Sequence, residues 1–351
     1  MQLHNQVFGY SLYLSTFADQ WPTLAGRAGT GVPVFLSLHI SEEFDESYCQ
    51  RARQACGLLN KKGFRIIADV SVKTLAQFGC GDLCDLAQEL GLWAVRIDYG
   101  FSPQEIGEIG KRMPIVLNAS TTTEEDAKSI AASCKEVYAM HNFYPRPETG
   151  LDEALLAHTT KMLQRAGLKV LAFIPGDENF RGPVFEGLPT LEAHRKVRPS
   201  AAFVDLCQRF DMDGVFVGDP GLSGKEAQRI ELYCGEKVIP IPVELAPEWA
   251  HLYDVDFTCR VDSPQWMIRF KESREYSCKG AAVKPDNCAE RRRGSITVDN
   301  EKYGRYTGEI QLLRQDFPRD DRVNVIGTVK QEDMLLCDLV RRGQKFRMVR
   351  P

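Results

Sequence analysis

Two aspartates stand where short β-rich runs end: Asp69 closes FRIIAD and Asp98 follows AVRI. Carboxylates on neighbouring strand ends can serve one bond as general acid and as base or nucleophile when their surroundings split their proton affinities. A competing reading makes Asp98 the ion-pair partner of Arg96, two residues back on the same face. The residues alone leave both open. Other runs stop at polar groups in the same way, giving Ser15, His39, Ser71, Asn118, His141 with Asn142, and Asp219. Glu148, Glu178, Glu186 and Glu192 lie on the intervening loops as alternative acids.

A second group suits anions. Arg146 sits between prolines in HNFYPRP, and Arg181 lies in PGDENFRGPVFEGLP, a long segment with Phe180 and Phe185 available to pack on a sugar ring. A guanidinium held this way can take a phosphate or carboxylate through two parallel hydrogen bonds; the plainer alternative pairs Arg146 with Glu148. The turn Gly218–Ser223 opens a helix, where exposed N–H groups attract anions, so Gly218, Gly221 and Ser223 join the two arginines as phosphate candidates. His39, Asn118, His141, Asn142, Tyr144, Arg146, Arg181, Glu186 and Asp219 are candidates for holding a small polar substrate. No G-x-S-x-G is present and no cysteine ends a strand, which disfavours a nucleophilic triad. His141 lacks a second histidine at metal-ligand spacing, and Cys80 and Cys84 lack a second pair, so neither a metal nor a cofactor is expected.

The elements that position these residues read as a (β/α)8 TIM barrel. Eight runs recur: Phe8–Leu14, Pro33–Leu38, Phe64–Asp69, Ala94–Ile97, Pro114–Leu117, Glu136–Met140, Lys169–Ile174 and Asp213–Val217. Helical patterns alternate with them, clearest over Asp45–Lys62, Thr122–Ser133, Leu151–Ala166 and Ser223–Cys234. In the third of these, Leu151, Leu155, Met162 and Leu163 form the expected buried face. Gly63 and Gly167 sit where helix caps belong. In such a barrel the C-terminal strand ends form the active-site rim, and loops seven and eight often hold phosphate. An open eight-stranded sheet is the weaker alternative, since no G-x-G-x-x-G follows an early strand.

Near residue 235 the rhythm changes to short β-rich stretches: Trp266–Phe270, Gly294–Val298, Gly308–Leu313, Val323–Val329 and Lys345–Val349. The expected division is a barrel over 1–235 and a small, mostly antiparallel β domain over 236–351, with Ile239–Pro242 as a short stiff linker. The chain of 351 residues, 43% hydrophobic and 26% charged, has the composition of a soluble globular protein. A net charge of −4, with no like-charge run longer than Arg291–Arg293, gives no basis for a nucleic-acid or membrane partner. No secretory signal or membrane span is expected, and the 11 scattered cysteines suit a reducing, cytoplasmic setting.

The segments MHNFYPRPETGL (Met140–Leu151) and RGPVFEGLPTLEAHR (Arg181–Arg195) resemble the bacterial 6-phospho-N-acetylmuramidases. SLYLS, SLHI, ADVS, RIDYGF, LNAST, RRGSITVDN and DRVNVIG extend the resemblance over both halves. Thr16–Gly31 and Lys279–Glu290 depart from it. The resemblance implies a TIM barrel followed by a cyclophilin-like β domain. It also implies a cytoplasmic glycoside hydrolase that cleaves the β-1,4 bond of MurNAc-6-phosphate–GlcNAc during peptidoglycan recycling. It supplies no catalytic assignment, so Asp69 and Asp98 as catalytic pair remain an inference from their positions. A sugar-phosphate isomerase, epimerase or lyase on the same barrel, and a non-catalytic sugar-phosphate sensor, are the rival functions.

Overall fold

Burying eight apolar runs joined by crossovers requires parallel strands with helices outside, and the chain meets this with a closed eight-stranded barrel. The computed structural model describes residues 7–38, 45–98, 100–277 and 283–351; His39 lies outside them. The strands are β1 (Val7–Leu12), β2 (Pro33–Ser37), β3 (Arg65–Val70), β4 (Ala94–Ile97), β5 (Ile115–Asn118), β6 (Val137–Met140), β7 (Lys169–Ile174) and β8 (Gly214–Val217). Parallel pairing of β1 with β8 closes the ring. Around it lie α1 (Phe17–Ala25), α2 (Tyr48–Lys61), α3 (Val72–Phe78), α4 (Leu83–Leu90), α5 (Pro103–Arg112), α6 (Glu124–Ser133), α7 (Glu153–Arg165) and α8 (Pro199–Arg209), and α9 (Gly224–Glu236) follows β8 in the chain.

Side chains alternate in and out along each strand, and the barrel interior identifies which set is which. Phe35, Ile67, Ala94, Val116, Met140, Leu171, Phe173 and Phe216 meet in one buried cluster. Contributions from β2 through β8 can touch one another only on the barrel axis, so these residues point inward. Counting on by two places Ser37, Asp69, Arg96, Asp98, Asn118 and Asn142 on the same inward face, one layer nearer the mouth. His141 has the opposite parity. On α7 the buried residues are Leu156, Thr160 and Leu163, whereas Leu155 is 49% exposed. The face expected from Leu151 and Leu155 is therefore rotated, with Thr160 turned inward to serve a polar group behind the wall.

The chain divides into two compact units, Met1–Ala227 and Gln228–Pro351. The second contains β9 (Ile239–Pro242), β10 (Glu244–Leu245), β11 (Asp256–Thr258), β12 (Met267–Arg269), β13 (Ser295–Asp299), β14 (Ile310–Leu313), β15 (Val323–Thr328) and β16 (Lys345–Val349). They form a five-stranded sheet in the order β10-β15-β13-β14-β12 and a three-stranded sheet in the order β11-β16-β9. Two short helices, α10 (Lys271–Ser277) and α11 (Met334–Leu339), accompany them. The expected linker Ile239–Pro242 is corrected: it is a buried strand paired in parallel with β16. Its prolines fit because β9 is an edge strand, which needs N–H donors on one side only.

The barrel axis depends on one missing side chain. A Cβ on Gly9 would stand 2.3 Å from Cε1 of Phe216 and 2.9 Å from the Pro33 carbonyl oxygen. Gly9→Ala is expected to destabilise the protein by about 1–3 kcal/mol through overpacking. In urea denaturation, Phe216→Leu in the same chain should recover part of that loss; equal stability of Gly9→Ala and wild type would contradict this packing.

Candidate active site

The floor of the mouth is built from inward positions at the ends of β3 to β6. Register places Asp69 beside Arg96, and the guanidinium Nη1 donates to Asp69 Oδ1 at 2.9 Å. Nη2 donates to Asn142 Oδ1. Asp98 Oδ1 is 3.9 Å from Nη1 and accepts from Asn118 Nδ2 at 3.0 Å. The ion pair read between Arg96 and Asp98 is thus mainly one between Arg96 and Asp69. Side chains of Asp69 and Arg96 are 7% and 5% exposed, that of Asp98 24%. Asp98 is the carboxylate of the two that a ligand can reach.

Amides and hydroxyls extend this floor. Asn118 Oδ1 accepts from the Ser120 N–H at 3.0 Å, and Asn142 Nδ2 donates to Ser120 Oγ at 3.4 Å. Ser120 Oγ in turn lies 3.5 Å from the Tyr144 hydroxyl. Asn118, Asn142 and Tyr144 are therefore brought together with Asp98. His141 is not. Its ring is fully buried, with Nε2 3.0 Å from Thr160 Oγ1 of α7, and burial lowers its pKa to about 4. It is a neutral wall residue facing the helices, which corrects its place among the substrate contacts.

Arg181 lies on the loop after β7. Its guanidinium carbon lies 4.6 Å from the Tyr13 ring centroid and 5.8 Å from that of Phe143. Phe143 packs edge-on against Phe173 of the barrel core at 5.1 Å, and the Tyr13 hydroxyl donates to the Gly218 carbonyl. Burial holds that phenol protonated by pushing its pKa up. Tyr13, Ser120 and Phe143 were not singled out as site residues in the sequence. The signal for Tyr13 is the period of two running from Gly9 through Ser11.

Two carboxylates fasten the loops. Glu192 accepts from the N–H groups of Glu148 and Gly150 at 2.9 and 2.8 Å and from Arg195 Nη2 at 2.6 Å. These donors, Arg195 foremost, lower its pKa to about 2. A carboxylate so engaged has no proton to give, so Glu192 is withdrawn as an acid. Arg195 also donates to the carbonyls of Gly187 and Arg146 at 3.0 and 3.2 Å, joining the two arginine-bearing loops. Arg146 itself is exposed, and its side chain forms no ion pair with Glu148 among the described residues. Glu148, Glu178 and Glu186 are exposed as well.

Asp219 is buried and accepts from three backbone N–H groups: Gly176 at 2.9 Å, Leu188 at 3.0 Å and Arg181 at 3.0 Å. Its oxygens are directed at the loop backbone, which corrects the expectation that Asp219 contacts the substrate directly. The glycine turn is corrected too. Gly218 N–H donates to the Ile174 carbonyl at 2.8 Å, and Gly221 bridges to Glu178. Ser223 donates through N–H and Oγ to Asp177 at 2.7 and 2.6 Å. An aspartate of the protein already occupies that helix start, so Gly218, Gly221 and Ser223 offer no open phosphate cradle. Ser71 likewise caps α3, its N–H donating to Thr74 Oγ1 at 3.1 Å.

The described residues contain no group of three or more His, Cys, Asp or Glu placed to hold a metal ion. No described helix is long and apolar enough to cross a membrane. What remains are an accessible carboxylate among amides and a guanidinium backed by two aromatic rings.

A conserved protein of unknown function from Enterococcus faecalis has a solved structure 31% identical to this chain. The match covers 98% of this chain and 96% of that one, with a TM-score of 0.84. An uncharacterized B. cereus protein, 22% identical over 98% and 99% of the two chains with a TM-score of 0.79, shares the fold. No curated protein matches the sequence. Residues 8–232 match the family model described as 6-phospho-N-acetylmuramidase, N-terminal, and residues 242–349 match its C-terminal counterpart. With both parts matched in order along nearly the whole length, the chain belongs to the 6-phospho-N-acetylmuramidase family.

Proposed function

We propose that this protein is a cytoplasmic glycoside hydrolase that cleaves the β-1,4 bond of MurNAc-6-phosphate–GlcNAc, releasing the two sugars during peptidoglycan recycling. The observation that carries this reading is the presence of two kinds of group. Asp98, Asn118 and Asn142 form a carboxylate–amide cluster, and Arg181, on the loop after β7, lies over Tyr13 and Phe143 and forms no ion pair among the described residues. A phosphorylated amino sugar needs both: amides for its hydroxyl and acetamido groups, and a cation for its phosphate or lactyl carboxylate. Arg146, exposed on the adjoining loop, is the second cation. A cytoplasmic place agrees with the cysteines, since none of the ten described forms a disulfide. The second unit is read as cyclophilin-like on the strength of the family resemblance.

In this reading Asp98 is the carboxylate that works at the glycosidic bond, its Oδ1 oriented by Asn118. Asp69 is a positioning residue: it neutralises Arg96, which in turn fixes Asn142 beneath the bound sugar. Strand-end position alone makes the two a pair; their unequal burial supports giving them unequal parts.

Three outcomes test the proposal. The purified protein should release GlcNAc from MurNAc-6-phosphate–GlcNAc, followed by mass spectrometry, and act far more slowly on the same disaccharide without phosphate. No cleavage of either would sink the glycosidase reading; equal rates on both would remove the anion site. Asp98→Asn should lower kcat by about 10²–10⁴-fold with little change in KM, the range for losing a proton-handling group. Asp69→Asn should instead cost about 3–5 kcal/mol of stability in urea denaturation, because it leaves a buried guanidinium uncompensated.

A further inference from the structure

We propose that Asp219 is a positioning residue that sets the enzyme's preference for a phosphorylated substrate by holding Arg181 in its binding pose before the ligand arrives. This rests on the reading of Arg181 as an anion receptor. The segment from Pro175 to Pro189 is long for a βα connection, and a loop of that length ordinarily samples many conformations. Here Asp219 binds it near its start, at its middle and near its end, through Gly176, Arg181 and Leu188. Glycine makes the close approach possible, since a Cβ on Gly176 would lie 3.0 Å from the Asp219 Cβ and 2.1 Å from the Gly221 carbonyl oxygen.

The middle anchor is the residue that matters. Because the Arg181 N–H is tied down, its side chain leaves the loop in one direction, across the rings of Tyr13 and Phe143. Asp219 and Arg181 act on each other through space, but the two Asp219 oxygens accept from backbone N–H groups and no ion pair joins the two side chains. The cation therefore stays available while its position is held. Burying this carboxylate is unfavourable, and its pKa is raised with burial as the main cause, against the opposing pull of the three N–H groups and the nearby Arg181 charge. A group kept in place against that penalty, by three N–H groups of one loop, is ordering the loop. An anion that meets a preset guanidinium avoids the entropy of arranging it, and the advantage is specific to substrates that carry the anion.

Asp219→Asn replaces an acceptor by an amide N–H, which cannot satisfy all three donors. It is expected to raise KM for the phosphorylated disaccharide roughly ten- to a hundredfold, with kcat and the KM for the unphosphorylated disaccharide nearly unchanged. Asp177→Asn in the same loop, which touches Ser223 and not Arg181, should leave both KM values at wild type. As a readout independent of activity, trypsin should cut the Arg181–Gly182 bond faster in Asp219→Asn than in wild type or Asp177→Asn. An equal rise in KM for both substrates, a fall in kcat alone, or unchanged KM with wild-type proteolysis would each overturn the proposal. If wild type cleaves neither disaccharide, the glycosidase reading falls, and the proteolysis comparison still decides whether Asp219 presets the loop.

Discussion

A guanidinium inside a barrel is the constraint on which the mouth depends. Arg96 points inward from β4 with almost no exposure, and stripping a charge of water costs several kcal/mol unless neighbours compensate it. Asp69 from β3 supplies the counter-charge, Asn142 beyond β6 takes a second N–H, and Asp98 closes the cluster from the same strand. Each partner comes from a different strand end or its loop, so neutralising Arg96 also fixes their mutual geometry. Asp98 is left as the member with a surface to offer.

The loops above follow the same logic with opposite electrostatics. Glu192 has Arg195 and two N–H groups, and its proton affinity falls; Asp219 is hydrogen-bonded by N–H groups in a drier place, where burial outweighs them and the nearby Arg181 charge, and its affinity rises. Neither does chemistry on a ligand in this reading. Both convert long loops into fixed ones, so that Arg146 and Arg181 are presented from defined backbones. A barrel that must recognise a charged sugar has to leave some cations uncompensated while keeping every other buried charge paired. In the proposed reading Arg96 and Arg195 are held by carboxylates, whereas Arg181 forms no ion pair among the described residues and is left for the ligand.

Glycines and aspartates at the strand ends show how one residue type takes unrelated parts. Gly9 yields the barrel axis to Phe216, and Gly176 lets Asp219 approach the loop. Asp177 covers a helix start that otherwise has the form of an anion site. Reading any of these as a ligand contact requires knowing that its hydrogen-bonding capacity is unused, which depends on residues far away in the chain.

The sequence by itself determined the barrel, because eight apolar runs of strand length alternating with amphipathic stretches have few other ways to bury their surface. It also placed the polar residues at one rim, since strand ends in a barrel share a side. Parity was legible as well: the period of two separates Asp69, Asp98, Asn118 and Asn142 from His141, although the polar character of His141 hid it. Ile239–Pro242 misled because prolines mark both linkers and edge strands, and only pairing with β16 distinguishes them. What the tertiary structure alone decided was which polar groups were already satisfied. Gly218 is engaged by Ile174 and Tyr13, Ser223 by Asp177, Asp219 by three N–H groups and Asp69 by Arg96. Hydrogen bonds between distant segments saturate locally and leave no periodic trace. The accessible carboxylate of Asp98 and the Arg181 guanidinium, outside any ion pair among the described residues, emerge only after that accounting is complete.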